Sequence, residues 1–115
     1  MIKNINDLKN IDFTGPLVKN ASMKVLVSKE DGWNDHVMRI VELDKDGYSP
    51  KHSHPWPHIN YFLEGNGELE IDGIITPVTT GNYAFVPENT LHQFRNTGIN
   101  TFKFICIVPT EGHKY

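Results

Sequence analysis

Residues 52–58 of the chain read HSHPWPH, a short run from which both a fold and a binding site can be argued. In an extended segment alternate residues share a face, so His52 and His54 point to the same side. The two prolines of the run cannot donate ladder hydrogen bonds, and they therefore predict a kinked loop. Such a loop turns His58 back towards the first two rings.

A fourth histidine, His92, follows far along the chain, where it must belong to a distant strand. A local cluster joined by one remote ligand is a common arrangement in metal sites, and neutral imidazole binds zinc, copper, iron, nickel and manganese. We therefore predict one divalent metal ion bound by four ligands, His52, His54, His58 and His92. The alternative is a histidine-rich surface loop. The other two histidines, His36 and His113, are interpreted as surface residues.

The composition excludes several classes of protein. With 115 residues the chain is long enough for one core, and we predict a single domain over residues 1–115. Its net charge of -3 argues against a nucleic-acid partner and favours a small-molecule substrate. The lone Cys106 fits a reducing compartment, and residues 1–10 lack the apolar core of a signal peptide. No apolar stretch is long enough to span a bilayer, so we expect no membrane contact and a cytoplasmic location.

Short runs rich in β-branched and aromatic residues alternate with turn signals such as Asp46-Gly47 and Asp72-Gly73. Strands are predicted at residues 23–27, 37–43, 59–63, 68–71, 83–86, 91–95 and 101–108. Only residues 5–9 favour a short helix. Many short strands at this spacing indicate an all-β antiparallel sandwich or barrel.

Strand parity predicts which side chains face the metal. If His92 points inward, so does Phe94, and in the last strand Phe104 and Cys106 share the face that we expect to line the cavity. The opposite face of that strand carries Ile105 and Ile107, and an apolar stripe on an outer sheet face is usually covered. A second copy of the chain in a homodimer would cover it, and so would the N-terminal segment.

Aromatic residues near the ligands are candidates for the cavity wall. Trp56, held between two prolines, either walls or gates the cavity or is simply packed. Phe94 and Phe104 either line the cavity or belong to the core.

Three polar or titratable residues are further candidates. Cys106 is either a thiol near the metal, where an oxidant would attack it, or a buried and unreactive residue. Arg39 either points inward, where it needs an anionic partner or a ligand, or extends to solvent. Asn60 shares the strand parity of His58 and is therefore a candidate neighbour of that ring.

These residues resemble the two motifs of the cupin superfamily. Residues 47–65 contain a glycine, His-x-His, a third ligand four residues on, and a second glycine, and residues 81–96 resemble the second motif. Three departures stand out: the spacing from Gly47 to His52 is one residue short, Asn89 replaces a glycine, and His58 replaces a glutamate. Asn tolerates the left-handed conformation that glycine often supplies. The change at His58 leaves a divalent ion with its full charge, which favours anions or enolates and the lower oxidation state.

A closer resemblance is to the small four-histidine manganese cupins. It rests on HSHPW-x-H at residues 52–58, His-x-Phe-Arg-Asn at 92–96 and Cys-x-x-Pro-x-Glu-Gly at 106–112. The resemblance implies a single cupin barrel, a double-stranded β-helix or jelly roll, that forms a homodimer. It also implies a six-coordinate ion with two adjacent water-filled positions. Manganese is the metal expected, with iron, nickel, copper and zinc as alternatives, since zinc, nickel or copper can displace manganese or iron from a nitrogen site.

The sequence leaves three functions open. By resemblance, the chain is a metal-dependent oxidoreductase that uses dioxygen or a peroxide, with cleavage of a carbon–carbon double bond as one reaction. The second is a non-redox isomerase, cyclase or decarboxylase in which the metal stabilises an enolate. The third is a non-catalytic sensor or binding protein. An all-histidine site favours catalysis, because structural zinc sites are closed and mostly use thiolates.

Overall fold

The computed structural model describes residues 1–113, which form mostly β-strands. The strands are β1 (Ile11–Asp12), β2 (Lys19–Val27), β3 (His36–Tyr48), β4 (His58–Glu64), β5 (Asn66–Ile71), β6 (Ile74–Thr79), β7 (Tyr83–Val86), β8 (His92–Asn96) and β9 (Phe102–Pro109). Short 3-10 turns lie at Ile5–Asp7, Lys29–Asp31 and Thr110–Gly112. None of the described helices is long and apolar enough to cross a membrane.

All paired strands are antiparallel, and one continuous sheet follows the order β6-β5-β8-β3-β9-β4-β7, with β2 paired to β3 and β1 to β2. The long strand β3 contributes different segments to β2, β9 and β8. Because a twisted sheet of this size curls on itself, one face becomes the inside of a barrel. The all-β cupin jelly roll predicted from the sequence is confirmed.

The core fills one part of the barrel interior. Along β9, alternate residues from Phe102 to Val108 are buried, as a period of two requires when one face is covered. Phe62 stacks on Phe102 with ring centroids 5.6 Å apart, and Phe94 stacks on Phe104 at 4.4 Å. Aromatic pairs at these spacings add to the free energy gained by burying apolar area. Two of the candidate ligand histidines lie beside this aromatic cluster rather than within it.

The seven predicted strands are all present, but the prediction lacks the short β1 as well as β6, and it ends β3 too early. Strand β6 was not predicted because Pro77 interrupts its apolar run, and proline is tolerated there since β6 forms one end of the sheet. The dipeptide Asp46-Gly47 does not end β3, which continues to Tyr48. Asp46 instead takes a positive φ of 63° inside the strand, next to a register shift in the pairing with β2.

The outer face of β4 and β7 is left apolar and exposed. Ile59 lies opposite Phe85, and Tyr61 lies opposite Tyr83, and all four side chains are at least 46% exposed. The N-terminal residues 1–5 and 8 instead line a groove beside β2 and Met38 of β3. The N-terminal segment therefore leaves the four-residue patch of β4 and β7 uncovered.

Candidate metal centre

The loop that carries the first two histidines is held in place by backbone hydrogen bonds. His52 and His92 form an isolated bridge, with His52 N donating to His92 O at 3.1 Å and His92 N donating to His52 O at 2.9 Å. The carbonyl of His54 accepts from Asn89 N at 2.7 Å, and Asn89 has the left-handed φ of 57° expected where it replaces glycine. The loop is thus tied to β8 and to the turn before it, which brings residues distant in sequence together.

The four histidine rings converge at one end of the barrel. The ligating nitrogens of His52, His54 and His92 all lie within 4.8 Å of one another. The Nε2 atom of His58 lies 3.1 Å from Nε2 of His92. His58 and His92 are buried, His54 is half-buried and His52 is exposed, so the cluster runs from the interior to the surface. His52 therefore marks the side from which solvent reaches the site.

Hydrogen bonds to backbone carbonyls indicate which nitrogen carries the proton in two of the rings. Nδ1 of His54 lies 2.7 Å from the carbonyl of Trp56, and Nδ1 of His92 lies 2.8 Å from the carbonyl of Thr90. A carbonyl can only accept, so Nδ1 is the protonated nitrogen in both rings. A neutral ring with a proton on Nδ1 leaves its Nε2 lone pair free to bind a metal.

His58 follows the same rule through a side chain. Its Nδ1 lies 2.7 Å from Oδ1 of Asn60. The amide is oriented by its other end, because Asn60 Nδ2 donates to the carbonyl of Ile105 at 3.3 Å. Oδ1 is therefore the acceptor from His58, and the Nε2 lone pair of His58 is directed at that of His92.

The cluster is electrostatically suited to a cation. Burial, reinforced by nearby His92, lowers the pKa of His58 to about 3, and burial also lowers the pKa of His92. Both rings are thus neutral at pH 7, and their two lone pairs face each other across 3.1 Å without a proton between them. Two nitrogens bound to one ion at about 2.1 Å would lie roughly 3.0–3.4 Å apart for bond angles of 90–109°. The donor set and its spacing therefore fit a divalent metal ion.

A cavity of about 740 Å³ opens beside the histidine cluster. All five candidate wall residues from the sequence line it: Arg39, Trp56, Phe94, Phe104 and Cys106. Further apolar wall comes from Phe13, Ala21, Val41 and Leu43. The cavity is thus mostly apolar, with the polar histidine cluster on one side. A small organic molecule with an apolar body fits such a space.

Trp56 lies between His54 and the last described turn of the chain. Its indole ring stacks on the ring of His54, with centroids 4.8 Å apart and planes 8° apart. A Cβ atom added at Gly112 would overlap with the indole, so the C-terminal 3-10 turn lies directly against it. The tryptophan is therefore packed between His54 and this turn, and it also lines the cavity.

Arg39 points inward rather than to solvent. Its Nη2 lies 3.9 Å from Sγ of Cys106, and its Nη1 lies 3.4 Å from Nδ1 of His113. The interpretation of His113 as an ordinary surface residue is therefore wrong, since it is half-buried against Arg39. Its position depends on the path of the chain after β9, which spacing alone does not indicate. Burial raises the pKa of the Cys106 thiol, and the nearby guanidinium opposes that shift.

A network of charged side chains supports the ligand loop from outside the barrel. The carboxylate of Glu70 forms ion pairs with Lys51 at 2.8 Å and with Arg95 at 3.0 Å. Arg95 also forms an ion pair with Glu68 at 2.6 Å. Lys51 precedes His52, so the network fixes the start of the ligand loop against β5 and β8. These residues were not predicted from the sequence. Charges on alternate residues of β5 were a usable signal, but their partners follow only from the strand register.

The family described as Cupin domain matches residues 39–108 of the chain. No curated protein matches the chain significantly.

Several solved structures are similar over most of the chain. The polyketide cyclase RemF from Streptomyces resistomycificus is 28% identical, with 96% of this chain and 80% of that one covered at a TM-score of 0.86. A cupin 2 conserved barrel domain protein from Rhodopseudomonas palustris is 28% identical, with 89% and 70% covered at a TM-score of 0.78. A predicted oxalate decarboxylase from Thermotoga maritima is 22% identical, with 95% and 98% covered at 0.86, and this likeness shows the fold alone.

Proposed function

Because the chain belongs to the Cupin domain family, we propose that it is a metal-dependent oxidoreductase acting on a small organic molecule. One observation carries the metal-binding part of the proposal. The Nε2 atoms of His58 and His92 face each other at 3.1 Å, while their Nδ1 protons are held by Asn60 and Thr90. That arrangement is unfavourable unless a cation lies between the lone pairs.

The proposed ligands are His52, His54, His58 and His92. The ligating nitrogens of His52, His54 and His92 lie within 4.8 Å of one another. His58 is included because its Nε2 atom lies 3.1 Å from Nε2 of His92. Four neutral donors leave the +2 charge of the ion uncompensated, which favours the lower oxidation state. Manganese is the proposed metal, and iron, nickel, copper and zinc also accept imidazole.

The residues of the cavity have separate roles in this proposal. A bound redox-active ion would supply the activation of dioxygen or a peroxide, and cleavage of a carbon–carbon double bond is one reaction open to such a site. Phe94 and Phe104 exclude water from the inner side and bind an apolar substrate. Trp56 holds the ring plane of His54 by stacking. The exposed side at His52 admits the reactants.

A second function is favoured by one comparison. The polyketide cyclase that is 28% identical over 96% of this chain catalyses ring closure, as its name states. A non-redox cyclase or isomerase would use the same histidine cluster to stabilise an enolate, without an oxidant. Aromatic walls suit a polyketide-like substrate as well as an alkene.

Metal analysis paired with electron paramagnetic resonance separates the two functions. Protein produced with balanced metals should carry one manganese or iron ion per chain, and its spectrum should change on addition of peroxide. His92→Ala should lose the ion, whereas His36→Ala, which alters an exposed histidine outside the cluster, should keep it. Tightly held zinc that is silent to peroxide would contradict the oxidative proposal. Undiminished metal in His92→Ala would contradict the site itself.

We further propose that the chain forms a homodimer through the patch of β4 and β7. Support comes from the exposed apolar side chains of Ile59, Tyr61, Tyr83 and Phe85. Phe85→Glu should then reduce the mass measured by light scattering to that of one chain. Ile99→Glu changes another exposed apolar residue, which lies outside this patch, and should leave the mass unchanged. A monomeric wild-type protein would contradict the proposal.

A further inference from the structure

The charge of the cavity is unbalanced. Among the described residues that line it, none is Asp or Glu, and Arg39 is the one Lys or Arg. The histidines contribute no charge when neutral. The formal charge inside the cavity is therefore positive even before a divalent ion is considered.

Arg39 has no anionic partner within residues 1–113, where the ion pairs all involve other cations. Its guanidinium contacts two sulfur atoms, Sδ of Met23 and Sγ of Cys106, each at 3.9 Å, and these are weak acceptors. Its third contact is Nδ1 of His113 at 3.4 Å. The buried Nε atom has no hydrogen-bond partner. A guanidinium stays charged in proteins, so this placement is costly unless an anion compensates it.

The strand register places the guanidinium on the same inner surface as the histidines. Arg39 on β3 pairs with Cys106 on β9, and Cys106 pairs with Asn60 on β4. Asn60 in turn contacts His58. Since neighbouring strands lie about 4.8 Å apart, the Cα atoms of Arg39 and Asn60 are separated by roughly 10 Å. A small molecule can therefore reach both the guanidinium and the histidine cluster.

We propose that Arg39 anchors the carboxylate of a small organic acid whose apolar, aromatic or unsaturated body lies against Phe94 and Phe104. This inference deepens the proposed function, because it assigns the substrate class of the same cavity. The planar guanidinium can donate two parallel hydrogen bonds to a carboxylate. Its contacts to the two sulfur atoms are weak, so a carboxylate can replace them. Inorganic phosphate has no apolar body to contact Phe94 and Phe104, so it should bind more weakly than such an acid.

Calorimetric titration of the metal-loaded protein tests the proposal. The probes are trans-cinnamate, the neutral amide cinnamamide, and inorganic phosphate. Cinnamate should bind wild-type protein more tightly than cinnamamide, and phosphate should bind weakly. Arg39→Met should weaken cinnamate binding about tenfold to a hundredfold, the usual effect of losing hydrogen bonds to a charged group. Binding of cinnamamide should stay within about twofold in the same variant.

Arg39→Lys keeps the positive charge but not the planar guanidinium. Its affinity for cinnamate should therefore lie between those of wild type and Arg39→Met. Equal binding of cinnamate and cinnamamide to wild-type protein would overturn the proposal without any variant, and so would absence of saturable cinnamate binding in the millimolar range. Cinnamate binding that is unchanged in Arg39→Met but lost on chelation would also overturn it, because the carboxylate would then bind the metal. Metal content measured on each sample separates this outcome from failure of the proposed function. Metal-free wild-type protein can be compared with metal-free Arg39→Met in the same way. If wild type still binds cinnamate more tightly than cinnamamide and the variant does not, the result supports the anion site at Arg39 but not the metal-dependent function.

Discussion

Asn60 Oδ1 accepts a hydrogen bond from His58 Nδ1 at 2.7 Å, two residues earlier on the same strand and on the same face. The asparagine is 1% exposed, so water cannot replace it as the acceptor. Through this contact a neutral amide determines which nitrogen of a buried imidazole faces the histidine cluster.

Asn60→Ala should therefore weaken metal binding about tenfold to a hundredfold, since the ring of His58 loses the acceptor that orients it. Competition with a metal-sensitive chelating dye would measure the change. Replacement of the exposed Asn10 by Ala serves as the control and should have no effect. Unchanged affinity in Asn60→Ala, with the metal-free variant still folded, would show that the amide does not position His58.

Cys106 should react slowly with iodoacetamide in the native protein at neutral pH. The residue is 4% exposed, and burial raises its pKa, so both access and the thiolate fraction are reduced. Mass spectrometry after timed quenching should show labelling that follows unfolding in urea. Rapid stoichiometric labelling without denaturant would mean that the thiol is open to the cavity and reactive.

Glu70 should make stability depend on pH below about 4.5. Hydrogen bonds from Lys51 and then Arg95 lower its pKa in the folded state, so the unfolded chain takes up the proton first as the pH falls. The stabilisation is present above the unfolded value and is lost as the pH falls through the folded value. Glu70→Gln should be less stable than wild type at pH 7 and should lose less stability on acidification. Urea unfolding at a series of pH values would measure both effects, with the exposed Glu88→Gln as control.

Gly67→Ala should destabilise the fold by about 1–3 kcal/mol, the usual cost of overpacking. A Cβ atom there would overlap with the ring of Phe102 and lie 2.6 Å from the carbonyl of Arg95. Thermal unfolding would measure the loss. Gly98→Ala is the matched control, because its nearest atom would be at an ordinary 3.5 Å. Equal melting temperatures for the two variants would contradict the tight packing at Gly67.

Much of the fold followed from local rules. The dipeptide Asp72-Gly73 predicted a turn, and both residues take the positive φ values, 50° and 83°, of a two-residue hairpin between β5 and β6. Asn89 takes the left-handed conformation expected of the residue that replaces glycine. Burial alternates along β8 and β9 as the period of two requires.

Other features depend on contacts that no local pattern records. The β-propensity of β6 is weakened by Pro77, and only its place at the end of the sheet makes the strand acceptable. The acceptor for Nδ1 of His92 is the carbonyl of Thr90. Every residue has a backbone carbonyl, so the sequence does not indicate which one accepts the hydrogen bond. The position of His113 beside Arg39 depends on how the chain turns after β9. The candidate site residues could be predicted from the sequence, but the path of the backbone that brings their contacts together could not.

Pro77 also has a consequence for the behaviour of the protein at high concentration. An open sheet edge offers unpaired backbone groups to a strand from another molecule, which is how cross-β aggregates begin. Strand β6 is such an edge, and its exposed Ile74 and Ile75 would add apolar attraction. Proline lacks the backbone N–H needed for a continuous ladder, so it blunts this edge. The residue that obscured the strand in the sequence thus protects the folded chain from edge-to-edge fibril growth.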